Sequence, residues 1–396
     1  MTRVFDDCAR SDETILRHGE SRFDFLNRTS REFFRHVCDE IEVWYQQSCP
    51  EKRPELRMRL RSSQFNEAFW ELFIETLLRK HGWDVSCHPS IPKSEKSPDF
   101  LVEIPPDRPT FYVEATVSKH SGDESANEAR LGSLTQYIED NVQHPRFMLD
   151  VSVACQGPSD PPKADLIREI GGLLAGLDPD AVASEFDTAK SLSCLPSRTW
   201  ERDGWRITIR ALPVKAQEEP GSDRRIIGMS GPAEASIVNL SGPLKKSISR
   251  KATRYGLLRG PFVVAIWPRE LGTTDQDIAT ALFGSEAVTS HRGVAGSARM
   301  TRRRDGLWIG PSGPINQRVS AILTPPGDYA PWTAGKGILT VWHNPWAGYP
   351  LALGDSVFRE MRVDGDGAIV ESAPGKAPGG LLGLPSDWPG PEPPFD

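Results

Sequence analysis

Residues 98–118, PDFLVEIPPDRPTFYVEATVS, decide the fold expected for this chain of 396 residues. Two runs rich in β-branched and aromatic side chains, 98–104 and 110–118, lie on either side of PPDRP at 105–109. Such runs are typical of strands, and a short segment of proline and aspartate between them is typical of a tight turn. The pattern therefore predicts a hairpin of two antiparallel strands.

The segment before this hairpin predicts a long helix. Residues 64–81 (QFNEAFWELFIETLLRKH) repeat apolar side chains at helical spacing, Gly82 follows as a C-terminal cap, and 83–88 is a short β-like run. Further patterns predict, in chain order, helix 124–142, strand 146–154, helix 163–176, strand 204–212, helix 243–255, strand 261–267, helix 275–283 and strands 318–324 and 337–343. The uninterrupted apolar run at 261–267 indicates a strand covered on both faces. We therefore expect an α/β fold with a mixed central sheet flanked by helices.

The same patterns suggest four regions. Residues 1–60 form an N-terminal helical segment, whose amphipathic helix at 30–48 packs on the main domain. Residues 61–269 form the core, and 270–372 a β-containing C-terminal extension packed on it. Residues 373–396 are rich in proline and glycine, which favours a flexible tail.

Composition excludes some classes of protein. The formal net charge is −7, which argues against a protein that coats nucleic acid without specificity, although a local basic groove stays open. The six cysteines form no CxxC pair, as expected of reduced thiols. The N-terminus has no signal-peptide pattern, and no apolar run reaches the ~20 residues needed to cross a bilayer. We expect a cytoplasmic protein without membrane contact.

Two acidic residues of the hairpin carry the predicted chemistry. Side chains alternate along a strand, so Tyr112, Glu114 and Thr116 share one face of 110–118. A carboxylate among apolar neighbours is costly unless it is paired or binds a metal. Asp99 begins the neighbouring strand, so the hairpin can bring it close to Glu114. Two carboxylates on adjacent strands suit Mg²⁺ or Mn²⁺.

These residues resemble the motif of the PD-(D/E)XK, or restriction-endonuclease-like, nuclease superfamily. Pro98-Asp99 corresponds to its Pro-Asp, Glu114-Ala115-Thr116 to its (Asp/Glu)-x-Lys, and Glu71 or Glu67 to an acid on the preceding helix. The order helix, three strands, helix, strand also resembles that fold's core, and the match covers roughly residues 64–155. The chain also resembles uncharacterised bacterial proteins that share AFWEL, PDFLV, YVEAT and a later Lys-Ala-x-x-Tyr-Gly.

The resemblance implies a role for each matched residue. Asp99 and Glu114 would bind the metal, with the Ala115 carbonyl as a further ligand. Glu71, preferred over Glu67, would bind a second metal or orient a water. The metal would polarise a phosphate and activate a water for attack.

Thr116 departs from the family pattern, because it stands where the family has lysine. Threonine can hydrogen-bond a water molecule but carries no charge. Either the lysine has migrated, or the site is weak or inactive. Lys251, on predicted helix 243–255 beside the inner face that Ile248 and Tyr255 define, is the candidate for a migrated lysine. A solvent-exposed role for Lys251 is the alternative.

A separate basic run, Arg302-Arg303-Arg304, is followed by Arg318. These side chains could contact phosphates, and a solvated loop is the alternative.

Three hypotheses about function follow. The first is a metal-dependent nuclease that hydrolyses phosphodiester bonds in DNA, or RNA, with a role in restriction or phage defence by analogy of fold alone. The second is a catalytically inactive nuclease-like module that binds nucleic acid or protein. The third is an unrelated α/β protein whose acids are structural. Nucleic acid, with DNA first, is the expected partner, and a homodimer is compatible with the sequence.

Overall fold

The computed structural model describes residues 2–17, 19–107, 109–118, 122–189, 194–214, 226–232, 241–252, 254–268, 273–289, 299–365 and 367–391. The chain divides into two compact units. The main unit contains Met1–Asp12, Ser21–Lys119 and Asn239–Glu392. The inserted unit contains Glu13–Glu20, His120–Val238 and Pro393–Asp396.

The elements are numbered along the chain. Before the inserted unit, the main unit contains α1 Arg22–Arg28, α2 Glu32–Gln47, α3 Arg53–Leu60, α4 Phe65–Lys80, β1 Asp84–Cys87, β2 Phe100–Glu103 and β3 Thr110–Val117. The inserted unit contains α5 Gly122–Asn141, β4 Phe147–Cys155, α6 Lys163–Leu174, α7 Pro179–Ala189, β5 Ser197–Arg202, β6 Trp205–Pro213 and β7 Ile227–Pro232. The main unit resumes with α8 Ser241–Ala252, β8 Phe262–Trp267, α9 Asp275–Phe283, β9 Glu286–Thr289, β10 Arg299–Arg302, β11 Ile309–Gly310, β12 Gly313–Pro314, β13 Ala321–Thr324, β14 Thr340–His343, β15 Arg359–Val363, β16 Ile369–Pro374 and α10 Gly379–Leu382.

An eight-stranded mixed sheet forms the centre of the main unit, in the order β1-β2-β3-β8-β13-β14-β15-β16. Strands β1, β2 and β3 are antiparallel neighbours, as the hairpin pattern predicts. Strand β3 then pairs with β8 in parallel, and β8 pairs with β13 in parallel. The predicted α/β class with a mixed central sheet flanked by helices is confirmed.

Strand β8 lies in the middle of this sheet, and all six of its residues are buried. On one face, Val264 and Ile266 join a core cluster with residues of α8 and α9. On the other face, the indole N–H of Trp70 in α4 donates to the carbonyl oxygen of Ala265 at 2.9 Å, and the Trp70 and Trp267 rings lie 6.1 Å apart. The sheet is therefore covered on both faces at this strand, as the apolar run at 261–267 predicts.

Helix α4 is buried on almost every side, because α2 and α3 pack on the surface that the sheet leaves open. Trp44 of α2 contacts Phe73 of α4 with ring centroids 5.8 Å apart. Burying an aromatic side chain of this kind contributes about 1.5–3 kcal/mol. Gly82, with φ of +78°, follows the helix in the left-handed region that glycine adopts without steric cost. The predicted helix 64–81, its stop and the packing of helix 30–48 are confirmed.

The inserted unit has its own four-stranded sheet, in the order β5-β6-β4-β7. Its core is a separate cluster of buried residues from this unit, including Phe147, Trp205 and Ile209. Two independent hydrophobic cores explain why the chain forms two compact units.

This division corrects the expected continuation of the central sheet. Predicted strand 146–154 corresponds to β4, which belongs to the sheet of the inserted unit and not to the one containing β3. The position beside β3 belongs to β8, which is preceded by α8. Apolar alternation identifies a strand but not its partner, so strand 146–154 was predicted as an element while its place in the central sheet was not.

The C-terminal part of the chain also differs from the expectation. Strands on both sides of the predicted boundary, which itself lies outside the described residues, belong to one sheet, so the strands of 270–372 that join it extend the central sheet. Within the described part of predicted tail 373–396, β16 ends at Pro374 and α10 packs near α4. Leu382 and Trp388 are buried, so the prediction of a flexible tail is wrong up to residue 391.

A search of the described residues for a membrane-spanning segment found no helix that is sufficiently long and apolar.

Candidate functional site

Strand β3 presents Glu114 to the sheet face that α8 covers, because Glu114 pairs in register with Val264. The Glu114 side chain is only 2% exposed, yet both of its oxygens have partners. The Lys251 ammonium binds Oε1, and the Tyr255 hydroxyl donates to Oε2. The Arg254 guanidinium lies 3.7 Å from Oε1. We call these four residues the Glu114 cluster.

Tyr255 acts as a hydrogen-bond donor in this cluster. Burial and the negative charge of Glu114 raise the pKa of the Tyr255 hydroxyl, so it keeps its proton. Lys251 lies in the last turn of α8, and Tyr255 follows just after the helix. One short stretch of chain thus supplies both partners of the buried carboxylate.

Asp99 lies directly before β2, on the other side of β3 from β8. Its Oδ2 atom accepts a hydrogen bond from the backbone N–H of Ala115 at 2.7 Å. Burial, followed by the charges of Glu114 and Glu71, raises the pKa of Asp99 well above its ordinary value. The Ala115 hydrogen bond and the charge of Lys251 act in the opposite direction and do not offset these causes.

His88 reaches the same position from β1. Strands β1 and β2 are antiparallel and pair Cys87 with Phe100. His88, which follows Cys87, therefore lies opposite Asp99, which precedes Phe100. The backbone N–H of His88 donates to the Asp99 carbonyl oxygen at 2.8 Å. Burial and the charge of Lys52 lower the pKa of His88, which favours the neutral imidazole that can bind a metal.

Glu71 comes from α4 and completes the group. Its Oε2 atom accepts a hydrogen bond from the Arg59 guanidinium of α3 at 2.6 Å. The two side chains are 16% and 21% exposed, so this ion pair is mostly shielded from water. Arg59 therefore holds Glu71 in place and partly neutralises it.

Glu71, His88 and Asp99 each offer one ligand atom, and these atoms all lie within 4.8 Å of one another. Ligands that lie about 2.0–2.5 Å from one ion are separated by at most twice that distance, so a single cation fits among them. Two carboxylates and one imidazole suit Mn²⁺ and also Zn²⁺, whereas Mg²⁺ prefers oxygen ligands alone. We call these three residues the Asp99 cluster.

The two clusters differ in charge balance. Glu114 is neutralised by Lys251 and approached by Arg254. Glu71 has Arg59, but Asp99 forms no ion pair with any residue that the structure describes. The Asp99 cluster therefore has an excess of negative charge in a half-buried position, which a bound cation would offset.

The structure brings four of the predicted site residues together: Glu71, Asp99, Glu114 and Lys251. Their arrangement differs from the expected ligand set of Asp99, Glu114 and the Ala115 carbonyl, because Glu114 binds Lys251 and Tyr255 while Glu71 joins Asp99. Lys251, the candidate for the migrated lysine, lies beside the buried carboxylate of Glu114.

Two predicted candidates have a smaller part in the geometry. Thr116 lies two residues after Glu114 in β3, on the same face of the strand. It is 9% exposed, and its side chain forms no hydrogen bond among the described residues. Glu67 is not a member of the Asp99 cluster. The choice of Glu71 over Glu67 agrees with the position of the three ligand atoms.

Sequence reasoning missed His88, Arg59 and Arg254, and it assigned Tyr255 only to a helix face. One signal could have identified His88: an antiparallel pairing of runs 83–88 and 98–104 places residue 88 beside Asp99. No comparable signal exists for Arg59, because its helix reaches the site only through packing on α4.

Arg318 does not extend the basic run at 302–304. Its guanidinium donates to the backbone carbonyl oxygens of Tyr255, at 2.9 Å, and of Gly256. It therefore holds the turn that follows α8 and supports the position of Tyr255.

Comparison of the chain with models of known protein families, with characterised proteins and with solved structures gave no match.

Proposed function

We propose that this protein is a metal-dependent nuclease, which hydrolyses phosphodiester bonds of nucleic acid at the Asp99 cluster. The observation that carries the proposal is the uncompensated carboxylate of Asp99 with Glu71 and His88 around it, beside the buried Lys251–Glu114 pair. A buried acid whose pKa is strongly raised, close to a second acid and to a histidine, is typical of functional sites.

The order of elements supports a restriction-endonuclease-like core. Helix α4, strands β1 to β3, helix α8 and strand β8 repeat the order helix, three strands, helix, strand. The inserted unit separates β3 from α8 in the chain. On this assignment, Asp99 and Glu114 occupy the motif positions, and Lys251 of the second core helix carries the charge that Thr116 lacks.

The residues divide the chemistry between them. The cation supplies polarisation of a phosphate oxygen and a water of lowered pKa. The attacking water would lose a proton to solvent as its oxygen forms a bond to phosphorus, and the bond from phosphorus to one bridging sugar oxygen would break. Glu114, which accepts from Tyr255, binds the Lys251 ammonium and lies 3.7 Å from the Arg254 guanidinium. In this proposal the two cations would stabilise negative charge on the phosphate. The leaving oxygen takes a proton from solvent.

The Ala115 carbonyl has a supporting place in this scheme. A strand residue directs its N–H and its C=O to the same side. Since the Ala115 N–H donates to Asp99, its carbonyl faces the Asp99 side of β3. It is therefore available as a ligand or as an acceptor for a bound water. DNA is the substrate that we propose first, and a role in defence rests on analogy of fold.

The proposal is tested with plasmid, single-stranded DNA and RNA, each incubated with the full chain in Mn²⁺, Mg²⁺ or EDTA. We expect cleavage with a divalent cation, no cleavage in EDTA, and a loss of at least about 100-fold in Asp99→Asn, as for removal of one preorganised charge. Asp107→Asn, the same change on an exposed residue of the β2–β3 turn, is the matched control and should cleave like the wild type. Cleavage that persists in Asp99→Asn would refute the assignment.

A second function has one observation in its favour. Lys251 and Tyr255 already occupy both oxygens of Glu114, and Arg59 occupies Glu71, as in a site that no longer performs catalysis. The protein would then be a nuclease-like binding module. Calorimetric binding of Mn²⁺ and of DNA without cleavage of any of the three substrates would favour this alternative.

A further inference from the structure

A cavity of about 690 Å³ lies between α9, the β9–β10 hairpin and strands β14 to β16 of the main unit. Its volume is within the range of about 300–1,000 Å³ that is usual for small-molecule sites. Strands β14 and β15, which line it, are three and four strand spacings from β3, about 14–19 Å across the sheet. It is a separate feature from the proposed metal site.

The inner wall of the cavity is apolar and aromatic. Phe283, Trp346, Met361 and Ile369 line it, and Trp346 is only half-buried. Trp342 also contributes its ring, while its indole N–H is already donated to Thr324. Such a wall favours a flat, apolar or aromatic group, against which rings can stack.

The rim of the cavity carries a net positive charge. Of the two acids among the described residues that line it, Glu286 is paired with Arg302 at 2.8 Å and Asp275 is paired with Arg359. The adjacent Arg303 and Arg304 are exposed, and neither forms an ion pair with any other residue in the described ranges. Two guanidinium groups therefore lack an acidic partner among the described residues at the mouth of an aromatic pocket, although Arg304 donates one hydrogen bond to the Pro311 carbonyl oxygen at 3.4 Å.

We propose that this cavity binds a nucleotide, with its base against the aromatic wall and its phosphate on Arg303 and Arg304. Guanidinium groups bind phosphate through paired hydrogen bonds, and aromatic side chains stack on any base. Inorganic phosphate would leave the wall unused, and a purely apolar ligand would leave the arginines without a partner. The same chemistry is offered by a free nucleotide and by one nucleotide of a single strand.

The inference does not depend on the proposed nuclease, so it is tested in EDTA, where no divalent cation is available to the Asp99 cluster. The full chain is titrated calorimetrically with AMP, GMP, CMP and UMP, with adenosine, with inorganic phosphate and with a short oligothymidylate. The test variant is Arg303→Ala/Arg304→Ala. Its matched control is Lys336→Ala/Lys376→Ala, which removes two exposed cations of the main unit that do not line the cavity.

We expect saturable binding of at least one nucleoside monophosphate, and at least about tenfold weaker binding of adenosine and of phosphate. In the arginine variant, the affinity for the monophosphate should fall about tenfold or more, the usual scale for charge-assisted hydrogen bonds. If the oligonucleotide binds more tightly than every monophosphate, the ligand is a nucleotide within a single strand. If a monophosphate binds more tightly, the ligand is a free nucleotide. Absence of binding by all of these probes, or equal affinity in the arginine variant, would overturn the inference. So would an equal loss in the lysine control.

Discussion

The two clusters on either side of strand β3 are built from similar residues but are balanced in opposite ways. The Glu114 cluster surrounds one buried carboxylate with a lysine, an arginine and a tyrosine hydroxyl. The Asp99 cluster places two carboxylates and an imidazole together with one arginine. In the Glu114 cluster the carboxylate is matched by positive side chains, whereas in the Asp99 cluster the acids outnumber the cations. We therefore expect loss of a charge in the Glu114 cluster to destabilise the fold, and the Asp99 cluster to gain from a bound cation.

Removing the charge of Glu114 should have the largest effect on stability. Glu114→Gln leaves the Lys251 ammonium mostly buried and without a counter-charge, so we expect a loss of about 3–5 kcal/mol in the free energy of unfolding. Urea denaturation measures it. The double variant Glu114→Gln/Lys251→Met should recover part of the loss, because it removes both charges. A loss in the single variant below about 1 kcal/mol would show that the two clusters do not differ in this way.

The imidazole of His88 gives the next effect, this time on metal binding. His88→Gln removes the nitrogen ligand, so we expect Mn²⁺ affinity to fall about 10- to 100-fold, with a smaller change for Mg²⁺. Calorimetric titration of both ions measures the change. His144→Gln, in the inserted unit, is the control and should bind both ions like the wild type. Unchanged Mn²⁺ affinity in His88→Gln would remove this residue from the ligand set.

Asp99→Asn should stabilise the protein while it abolishes the proposed activity. The substitution removes the charge that burial and two neighbouring acids disfavour, so we expect a gain of about 0.5–2 kcal/mol in EDTA. Thermal and urea unfolding measure it against Asp107→Asn. A destabilised Asp99→Asn would mean that Asp99 is a structural acid, as Glu114 is.

The pH dependence of stability sharpens the same point. In the folded state the pKa of Asp99 is raised above its ordinary value of 3.8, so the folded protein retains this proton more strongly than the unfolded chain. The contribution is complete below pH 3.8 and is lost as the pH rises through the raised pKa. The stability difference between Asp99→Asn and the wild type should therefore grow with pH in EDTA. A difference that is constant with pH would contradict the raised pKa.

Arg59 provides the smallest expected change. Arg59→Gln breaks the ion pair with Glu71, which should cost about 1 kcal/mol, at the upper end for a surface pair, since this pair is mostly shielded from water. The released carboxylate should then bind Mn²⁺ a few-fold more tightly. Weaker Mn²⁺ binding in this variant would show that Arg59 organises Glu71 for the ion and does not compete with it.

The sequence predicted the local elements better than their assembly. The spacing of apolar residues identified α4, β3 and β8 to within one or two positions, because helical and strand periodicities are local properties. The same periodicity could not show that β4 belongs to a second sheet, because strand pairing depends on contacts between distant residues. The strand at 146–154 was therefore expected in the central sheet, where β8 lies beside β3 instead.

The candidate site shows the same limit at the level of single residues. Asp99 and Glu114 could be identified because a carboxylate within an apolar strand is unusual. Lys251 could be proposed because Thr116 lacks the positive charge that the family's lysine provides at this position. The partition of these acids into two clusters could not be predicted, since it depends on the position of Arg59 and on the turn after α8.

The inserted unit has a consequence for the order in which the molecule is made. Lys251 follows Glu114 by 137 positions, and the inserted unit lies between them. At a ribosomal rate of about 5–20 residues per second, the lysine is added about 7–27 s after the glutamate. Strand β3 therefore leaves the ribosome with an acid that has no counter-charge, and neither its burial beside β8 nor the completion of the Glu114 cluster can precede the synthesis of the whole intervening unit.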